Sequence, residues 1–369
     1  MASDLAAPEN TPATPPASAP IPRWYAWSAW GVLAYTVAVI VWGAFVRASK
    51  SGAGCGDHWP DCKGRIIPSF QDTATLIEYV HRVTSGLSGL LVLGLGVAAL
   101  FAVPRGHVVR RYALLGVAFM ITESALGMLL VKFQYVAEDA SVGRAIWMAL
   151  HLVNTFLLLA WLALLAWHAS GQPHARLRDA GGLGRAMFAA LGAALVVATF
   201  GAQAALADTL FPATSLAHGL AQDLSRDGHF LLRLRMFHPI VAMALAVYLV
   251  IALSAAGALR PTLAVRRLST LVFTLLGLQI ALGFVNLALL APVWMQLVHL
   301  LNADLLWIAL VTLTAAAIAA PKAAPASAPA RAAAPVDAPA RVGRRWRRGL
   351  RIAAGAQREE RCDNPRKSE

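Results

Sequence analysis

The sequence predicts an all-α membrane protein of eight transmembrane helices, arranged as two pseudo-symmetric four-helix bundles. First, 58% of the 369 residues are hydrophobic and only 14% are charged, whereas soluble domains average about 25% charged residues. Second, the chain holds eight apolar runs, each close to the roughly 20 residues that cross a bilayer. Third, polar motifs in the first four runs recur in the last four.

The apolar runs divide the chain into four segments. Residues 1–22 are rich in Ala, Pro, Ser and Thr, which predicts a disordered tail that is no signal peptide. Residues 23–168 and 185–320 carry four spans each, and residues 321–369 form a predicted disordered basic tail. The spans are predicted at about 24–46, 77–102, 109–131, 146–167, 186–206, 236–257, 268–290 and 294–319.

Positive charge lies in the C-terminal tail and in three short loops. The formal net charge is +13, and the segment from Lys322 onward holds 12 Lys/Arg against 5 Asp/Glu. Short basic loops face the cytoplasm, which predicts that both termini are cytoplasmic. Basic residues in this role require no nucleic-acid partner. The first residues are too poor in Arg for a mitochondrial transit peptide, which favours a bacterial cytoplasmic (inner) membrane.

The two halves repeat the same polar motifs in corresponding spans. Residues 151–154 (His-Leu-Val-Asn) in span 4 match residues 299–302 (His-Leu-Leu-Asn) in span 8. Residues 123–127 (Glu-Ser-Ala-Leu-Gly) in span 3 align with residues 279–283 (Gln-Ile-Ala-Leu-Gly) in span 7. The repeat therefore predicts two related four-helix units.

Four of the ten histidines lie inside spans, one in each even-numbered span: His81, His151, His238 and His299. On the predicted topology all four lie at similar depth in the outer leaflet. Polar residues in hydrocarbon are costly and usually functional, and paired imidazoles on facing helices hold heme iron axially. The sequence therefore predicts two heme sites, His81 with His151 and His238 with His299. A structural, hydrogen-bonded role is the alternative for each histidine.

A carboxylate accompanies only the first histidine pair. Glu78 precedes His81 by three residues and shares its helix face, whereas Arg235 stands at the matching position before His238. A carboxylate beside a heme can position a proton, water or substrate. We therefore predict that Glu78 is catalytic, that the first half reacts and that the second holds a permanent heme. An ion pair with Arg82 is the alternative role of Glu78.

Other charged side chains at membrane depth have two interpretations each. Arg47, Arg82 and Arg235 are candidate partners for heme propionates, and interfacial snorkelling is the alternative. Glu123 and Asp304 either accept a proton from the free nitrogen of a ligating imidazole or bond a neighbouring helix.

Two cysteines lie seven positions apart in the loop after span 1, around a Pro and several Gly. The predicted topology places this loop in an oxidising space, where such a pair closes a disulfide. The sequence therefore predicts a Cys55–Cys62 bond. Its role, as a staple or in electron transfer, is left open.

These motifs resemble the heme A synthase family, membrane enzymes that convert heme O to heme A for terminal oxidases. The resemblance covers residues 24–320 and is carried by the two-cysteine loop, residues 66–68 (Ile-Ile-Pro), residues 77–82 (Ile-Glu-Tyr-Val-His-Arg) and the three later histidines. Ser49-Lys50-Ser51-Gly52 departs from the Thr-Gly-Ser-Gly common in the family, and this puts details of the loop in doubt.

The resemblance implies a division of labour between the halves. The first half, with Glu78, His81 and His151, would bind and oxidise heme O by successive hydroxylation of one porphyrin methyl group to a geminal diol that loses water. The second half would bind a heme b cofactor through His238 and His299. Heme O synthase is the implied supplier, the electron acceptor is unidentified, and a homo-oligomer is left open.

Two non-catalytic functions are the alternatives. A diheme b-type membrane electron carrier predicts two equivalent sites, and the presence of a carboxylate in only one half argues against it. A heme-binding transporter explains the histidines but gives Glu78 no task.

Overall fold

The computed structural model describes residues 20–174 and 180–319, and this part of the chain is α-helical. The predicted tails lie almost entirely outside the described residues. The helices are α1 (Arg23–Ala48), α2 (Thr73–Ala102), α3 (Val108–Lys132), α4 (Val142–Ala169), α5 (Gly181–Leu210), α6 (Leu216–Leu224), α7 (Phe230–Leu259), α8 (Leu263–Ala288) and α9 (Val293–Ile318). All except α6 are long and apolar enough to cross a membrane, which confirms the predicted multi-pass protein with eight spans.

Several helices begin earlier than the apolar runs predicted. The helix α2 begins at Thr73 rather than near residue 77, because the Asp72 side chain caps it by accepting a hydrogen bond from Ala74 N–H. This carboxylate also accepts a hydrogen bond from the Thr75 hydroxyl, and the two bonds together lower the pKa of Asp72. The helix α7 begins at Phe230 rather than near residue 236, because its first turns contain arginines that a hydropathy criterion rejects.

Four helices form the centre of the protein. The helices α1, α4, α5 and α9 all contact one another, and they come in equal number from the two halves. At this centre the Trp307 indole packs against Phe156 with ring centroids 5.3 Å apart, and its Nε1 donates to the Phe156 carbonyl at 2.7 Å. The helices α2 and α3 flank one side, and α7 and α8 flank the other. The pseudo-symmetry of the two halves stays a prediction.

The short helix α6 was not predicted from the sequence, because nine residues are too few for a span. It buries none of its residues, and Leu216, Leu220 and Leu224 form an exposed apolar row along one face. The same helix contributes Asp223 to an ion pair with Arg235 of α7. An apolar face on an amphipathic helix between two spans is typical of a segment lying in the membrane interface.

Candidate functional site

The structure places the four predicted ligand histidines on α2, α4, α7 and α9. In the second half, the rings of His238 and His299 face each other with centroids 6.5 Å apart and planes at 86°. In each half the two histidine helices lie diagonally opposite each other among the four long helices.

All four histidine rings have a buried nitrogen atom that could bind a ligand. The Nδ1 atoms of His81, His151, His238 and His299 are buried and have no hydrogen-bond partner among the described residues. Buried polar atoms without partners are uncommon and call for an explanation such as an unseen ion. A metal held at about 2 Å by one nitrogen of each ring fits between His238 and His299 at their observed spacing.

A carboxylate network lies beside His151. The Glu123 Oε1 atom lies 3.6 Å from His151 Nδ1. The Asn154 amide donates to Glu123 Oε2 at 2.7 Å, and the Thr155 hydroxyl donates to Glu123 Oε1. The Asn154 oxygen in turn accepts a 2.6 Å bond from the Thr122 hydroxyl. The two bonds hold the carboxylate beside His151 Nδ1, just beyond hydrogen-bond distance, where it can orient the ring.

The second half has a corresponding hydrogen-bond network, in which the Gln279 amide takes the place of the Glu123 carboxylate. The Asn302 Nδ2 atom donates to the Leu275 carbonyl at 3.0 Å and to Gln279 Oε1 at 2.6 Å. The Leu275 carbonyl can only accept a hydrogen bond, so the group facing it must be the NH₂ group of Asn302. The same NH₂ group donates to Gln279 Oε1, and the NH₂ group of Gln279 therefore points at His299 Nε2, 3.0 Å away. The neighbour of His299 is therefore a donor, so binding a metal through His299 Nε2 requires release of this amide.

The Glu78 side chain is buried near the N-terminal end of α2, with 3% of its surface exposed. Its Oε2 accepts a 2.8 Å bond from Cys55 N–H, and its Oε1 accepts bonds from Arg82 Nε and Nη2 at 3.1 and 2.5 Å. The same Arg82 donates to the carbonyls of His58 and Asp61 at 2.6 and 2.5 Å. The ion pair considered as the alternative for Glu78 is present, and it fixes the carboxylate one helical turn from the His81 position.

The loop that follows α1 is closed over this carboxylate. The structure contains the Cys55–Cys62 disulfide predicted from the spacing, with Cα atoms 4.5 Å apart. Thr75 of α2 donates to the Gly54 carbonyl at 2.7 Å and accepts from Lys63 at the same distance, so the loop is tied to the start of α2. The disulfide and the Glu78 carboxylate therefore belong to one connected unit. A redox role for the bond stays a prediction.

The Arg47 side chain joins the two halves. It donates to the Ala205 carbonyl and the Thr209 hydroxyl of α5 at 2.7 and 2.9 Å, and to Gln296 Oε1 of α9 at 2.9 Å. The guanidinium therefore acts as a cross-link between α1 and the second half in this structure.

We expect Arg47→Ala to lower the free energy of unfolding by about 1–3 kcal/mol, because it leaves buried acceptors without a donor. Chemical denaturation of the detergent-solubilised protein measures this loss. Arg65→Ala, at an exposed arginine in the disulfide loop, is the matched control. Equal stability of the two variants would show that the cross-link contributes nothing.

The other predicted propionate partners also have protein partners. Arg235 pairs with Asp208 of α5 at 2.9 Å and with Asp223 of α6 at 2.6 Å, and Arg82 holds Glu78. Their contact with a propionate stays a prediction. In the second half, the N-terminal part of α7 thus carries the paired cation Arg235, where α2 of the first half carries the paired carboxylate Glu78.

Asp304 is not joined to either histidine pair by a hydrogen bond. It is fully buried on α9, and neither carboxyl oxygen has a partner within residues 20–174 and 180–319. Sequence reasoning considered Glu123 and Asp304 together as possible partners of a ligand, but only Glu123 faces a histidine. Sequence reasoning missed the roles of Gln279, Asn154 and Asn302, although the repeat alignment had already paired Asn154 with Asn302.

Two apolar cavities adjoin the first half. One of about 500 Å³ lies between α3 and α4, beside Thr122 and Asn154 of the carboxylate network. Another of about 410 Å³ lies between α2 and α3, and Trp59 of the disulfide loop contributes to its wall. Both are apolar grooves that open at the surface of α3, and neither His81 nor His151 contributes to their walls.

Comparison with known proteins places these features in a family. Residues 26–311 match the COX15-CtaA family, which is described as cytochrome oxidase assembly protein. A Thermus thermophilus protein named protoheme IX farnesyltransferase is 47% identical over 298 residues, which make up 79% of this chain and 49% of that protein. The chain thus spans about half the length of this curated relative.

Two heme A synthases are similar over shorter stretches. The protein from an Exiguobacterium species is 40% identical over 89 residues, which cover 24% of this chain and 30% of that protein. The protein from Exiguobacterium sibiricum is 33% identical over 134 residues, which cover 36% of this chain and 43% of that protein.

Proposed function

The chain belongs to the COX15-CtaA family of cytochrome oxidase assembly proteins, and on this premise we propose that it is a heme A synthase. The membrane-embedded protein oxidises a porphyrin methyl group of heme O to the formyl group of heme A. Two successive hydroxylations produce a geminal diol, and loss of water from the diol leaves the formyl group. Each hydroxylation takes its oxygen atom from water and releases two electrons and two protons, so an electron acceptor is required.

The observation that carries this proposal is the Glu78 carboxylate. It is buried, and its oxygens accept hydrogen bonds from Cys55 N–H and Arg82, so its position is fixed before a substrate arrives. It precedes His81 by three residues on α2. A carboxylate in this position is suited to hold water or accept a proton at the substrate edge. The second half has Arg235 at the matching position, so the reaction is assigned to the first half.

The remaining residues bind and orient. We assign His81 and His151 to the substrate heme and His238 and His299 to a heme b cofactor. Heme b, when bound, supplies one-electron redox chemistry. The carboxylate network of Glu123 orients the His151 ring, and the apolar cavities beside α3 accept the apolar substituents of the substrate.

Heme O synthase is the proposed supplier of the substrate. Support comes from the Thermus thermophilus relative, which is named for protoheme farnesylation and of which this chain matches about half the length. The proposed location is a bacterial inner membrane, with both termini in the cytoplasm and the disulfide loop outside.

The decisive experiment is chromatography and mass spectrometry of hemes extracted from cells that express this chain with a heme O synthase. Heme A, or its hydroxylated precursor, is the expected product. Heme O that persists unchanged beside a bound heme b would contradict the proposal and favour a diheme electron carrier.

Exchange of Glu123 tests the assignment of the first site. We expect Glu123→Gln to weaken heme binding at His81 and His151 by about tenfold or more, because the amide would donate to the His151 ring as Gln279 does to His299. The reciprocal Gln279→Glu should preserve or strengthen binding at the second site. Absorbance titration with added heme measures both effects, and unchanged affinity in Glu123→Gln would remove the network from ligand orientation.

A further inference from the structure

Each of the four histidine rings lies against a glycine on the preceding long helix. A Cβ atom built on each glycine would meet the Cε1 atom of the facing ring. The distances are 2.9 Å for Gly43 with His81, 2.9 Å for Gly201 with His238, 3.4 Å for Gly283 with His299 and 3.7 Å for Gly127 with His151.

Glycines on three of these helices that do not face a histidine have open space beside them. On α1, a Cβ atom at Gly31 would meet nothing within 4 Å, and the same holds for Gly192 on α5 and Gly277 on α8. Glycine on these helices is therefore not always in close contact, and Gly31 and Gly192 provide open positions on the helices of Gly43 and Gly201.

The histidine rings without a polar side-chain neighbour among the described residues have the closer glycine contacts. His151 and His299 have a polar neighbour on α3 or α8, namely Glu123 or Gln279, and their glycine contacts are the looser ones. The imidazole ring of His81 has no hydrogen bond to a side chain in the described part of the chain, and its glycine contact is tight.

His238 follows the same rule as His81. Its Nδ1 is buried without a partner among the described residues, and Gly201 approaches its ring as closely as Gly43 approaches His81. In each half, one ring is thus oriented by a polar side chain and the other by close packing against a glycine.

We propose that Gly43 and Gly201 are positioning residues that hold the His81 and His238 rings in the orientation in which they would ligate their hemes. A real Cβ atom essentially never lies within 3.0 Å of another heavy atom, so alanine at either position forces the ring to move. Both histidines are partly buried, and overpacking of this kind displaces side chains from their preferred positions. The inference rests on the proposed function in taking the histidines as heme ligands.

The test compares Gly43→Ala and Gly201→Ala with Gly31→Ala and Gly192→Ala, which are matched controls on the same helices. Gly43→Ala is measured in a His299→Ala background and Gly201→Ala in a His151→Ala background, so that one intact histidine pair is read at a time. The readouts are heme affinity by titration with heme b and the low-spin absorbance spectrum of a bis-histidine heme.

We expect about tenfold or greater loss of affinity in Gly43→Ala and Gly201→Ala, with a shift towards a high-spin spectrum, and neither change in the controls. Gly127→Ala should bind heme better than Gly43→Ala, and Gly283→Ala better than Gly201→Ala. If one variant fails to fold, the comparison in the other half still tests the order.

The two proposals fail in different ways. Absence of any low-spin heme in the protein with an unaltered sequence would overturn the proposed function. The role of the glycines alone would be overturned if the unaltered protein binds heme normally and Gly43→Ala and Gly201→Ala bind heme as tightly as their controls. An effect of Gly127→Ala as large as that of Gly43→Ala would overturn it as well.

Discussion

Replacing Glu78 by Gln is expected to reduce conversion of heme O by about 10²–10⁴-fold, the usual contribution of a positioned acid or base, while heme b stays bound. Glutamine keeps an oxygen that can accept the bond from Cys55 N–H, so the disulfide loop retains this contact. Arg82 keeps its bonds to the His58 and Asp61 carbonyls. The substitution thus removes the ionisable group with little change in the surrounding structure.

The measurement is the ratio of heme A and its hydroxylated precursor to heme O in extracts, together with the amount of bound heme b. Glu138→Gln is the matched control, because Glu138 is an exposed carboxylate paired with Lys50 at the surface. Full activity of Glu78→Gln would exclude Glu78 from the mechanism. Loss of heme b in the same variant would show that the carboxylate supports the fold rather than the reaction.

Replacing His299 by Ala is expected to release the resident heme b, whereas replacing His151 is expected to leave it in place. His299 and His238 face each other across the interior of the second half, so removal of one ring leaves the iron with a single protein ligand. Loss of one axial ligand abolishes the low-spin spectrum of a bis-histidine heme. The two variants therefore separate the cofactor site from the substrate site.

Heme content per polypeptide and the absorbance spectrum measure this separation. His218→Ala is the control, since His218 is an exposed residue of α6. We expect the control to retain all bound heme and His151→Ala to lose only binding of heme O. Survival of the resident heme in His299→Ala would show that the histidines are paired differently.

The positions of the site elements could be predicted because each depends on a local pattern. Apolar runs of bilayer length specified the eight spans, and the intramembrane depth of His81 and His299 singled them out as ligand candidates. The short spacing of Cys55 and Cys62 was sufficient to predict their disulfide. The errors at helix ends, such as the start of α2, arose because a capping side chain extends a helix beyond its apolar part.

Contacts between distant segments could not be predicted in this way. Arg47 was a candidate for a propionate partner, and its bonds to Ala205, Thr209 and Gln296 depend on helices far away in the sequence. The glycine contacts have the same origin. Gly43 and Gly31 look alike in the sequence, and only the packing of α2 against α1 places the His81 ring over one of them.

The sequence by itself thus determined the membrane character, the number of spans and the Cys55–Cys62 disulfide, and it predicted the histidine pairs. The tertiary structure decided the neighbours of the candidate site residues. These are the disulfide loop that holds Glu78, the Glu123 carboxylate beside His151, the Gln279 amide that donates to His299 and the glycines that contact the rings. The physical reason is that hydropathy and spacing act along one helix, whereas the orientation of a buried side chain depends on atoms from other helices packed within hydrogen-bond or van der Waals distance.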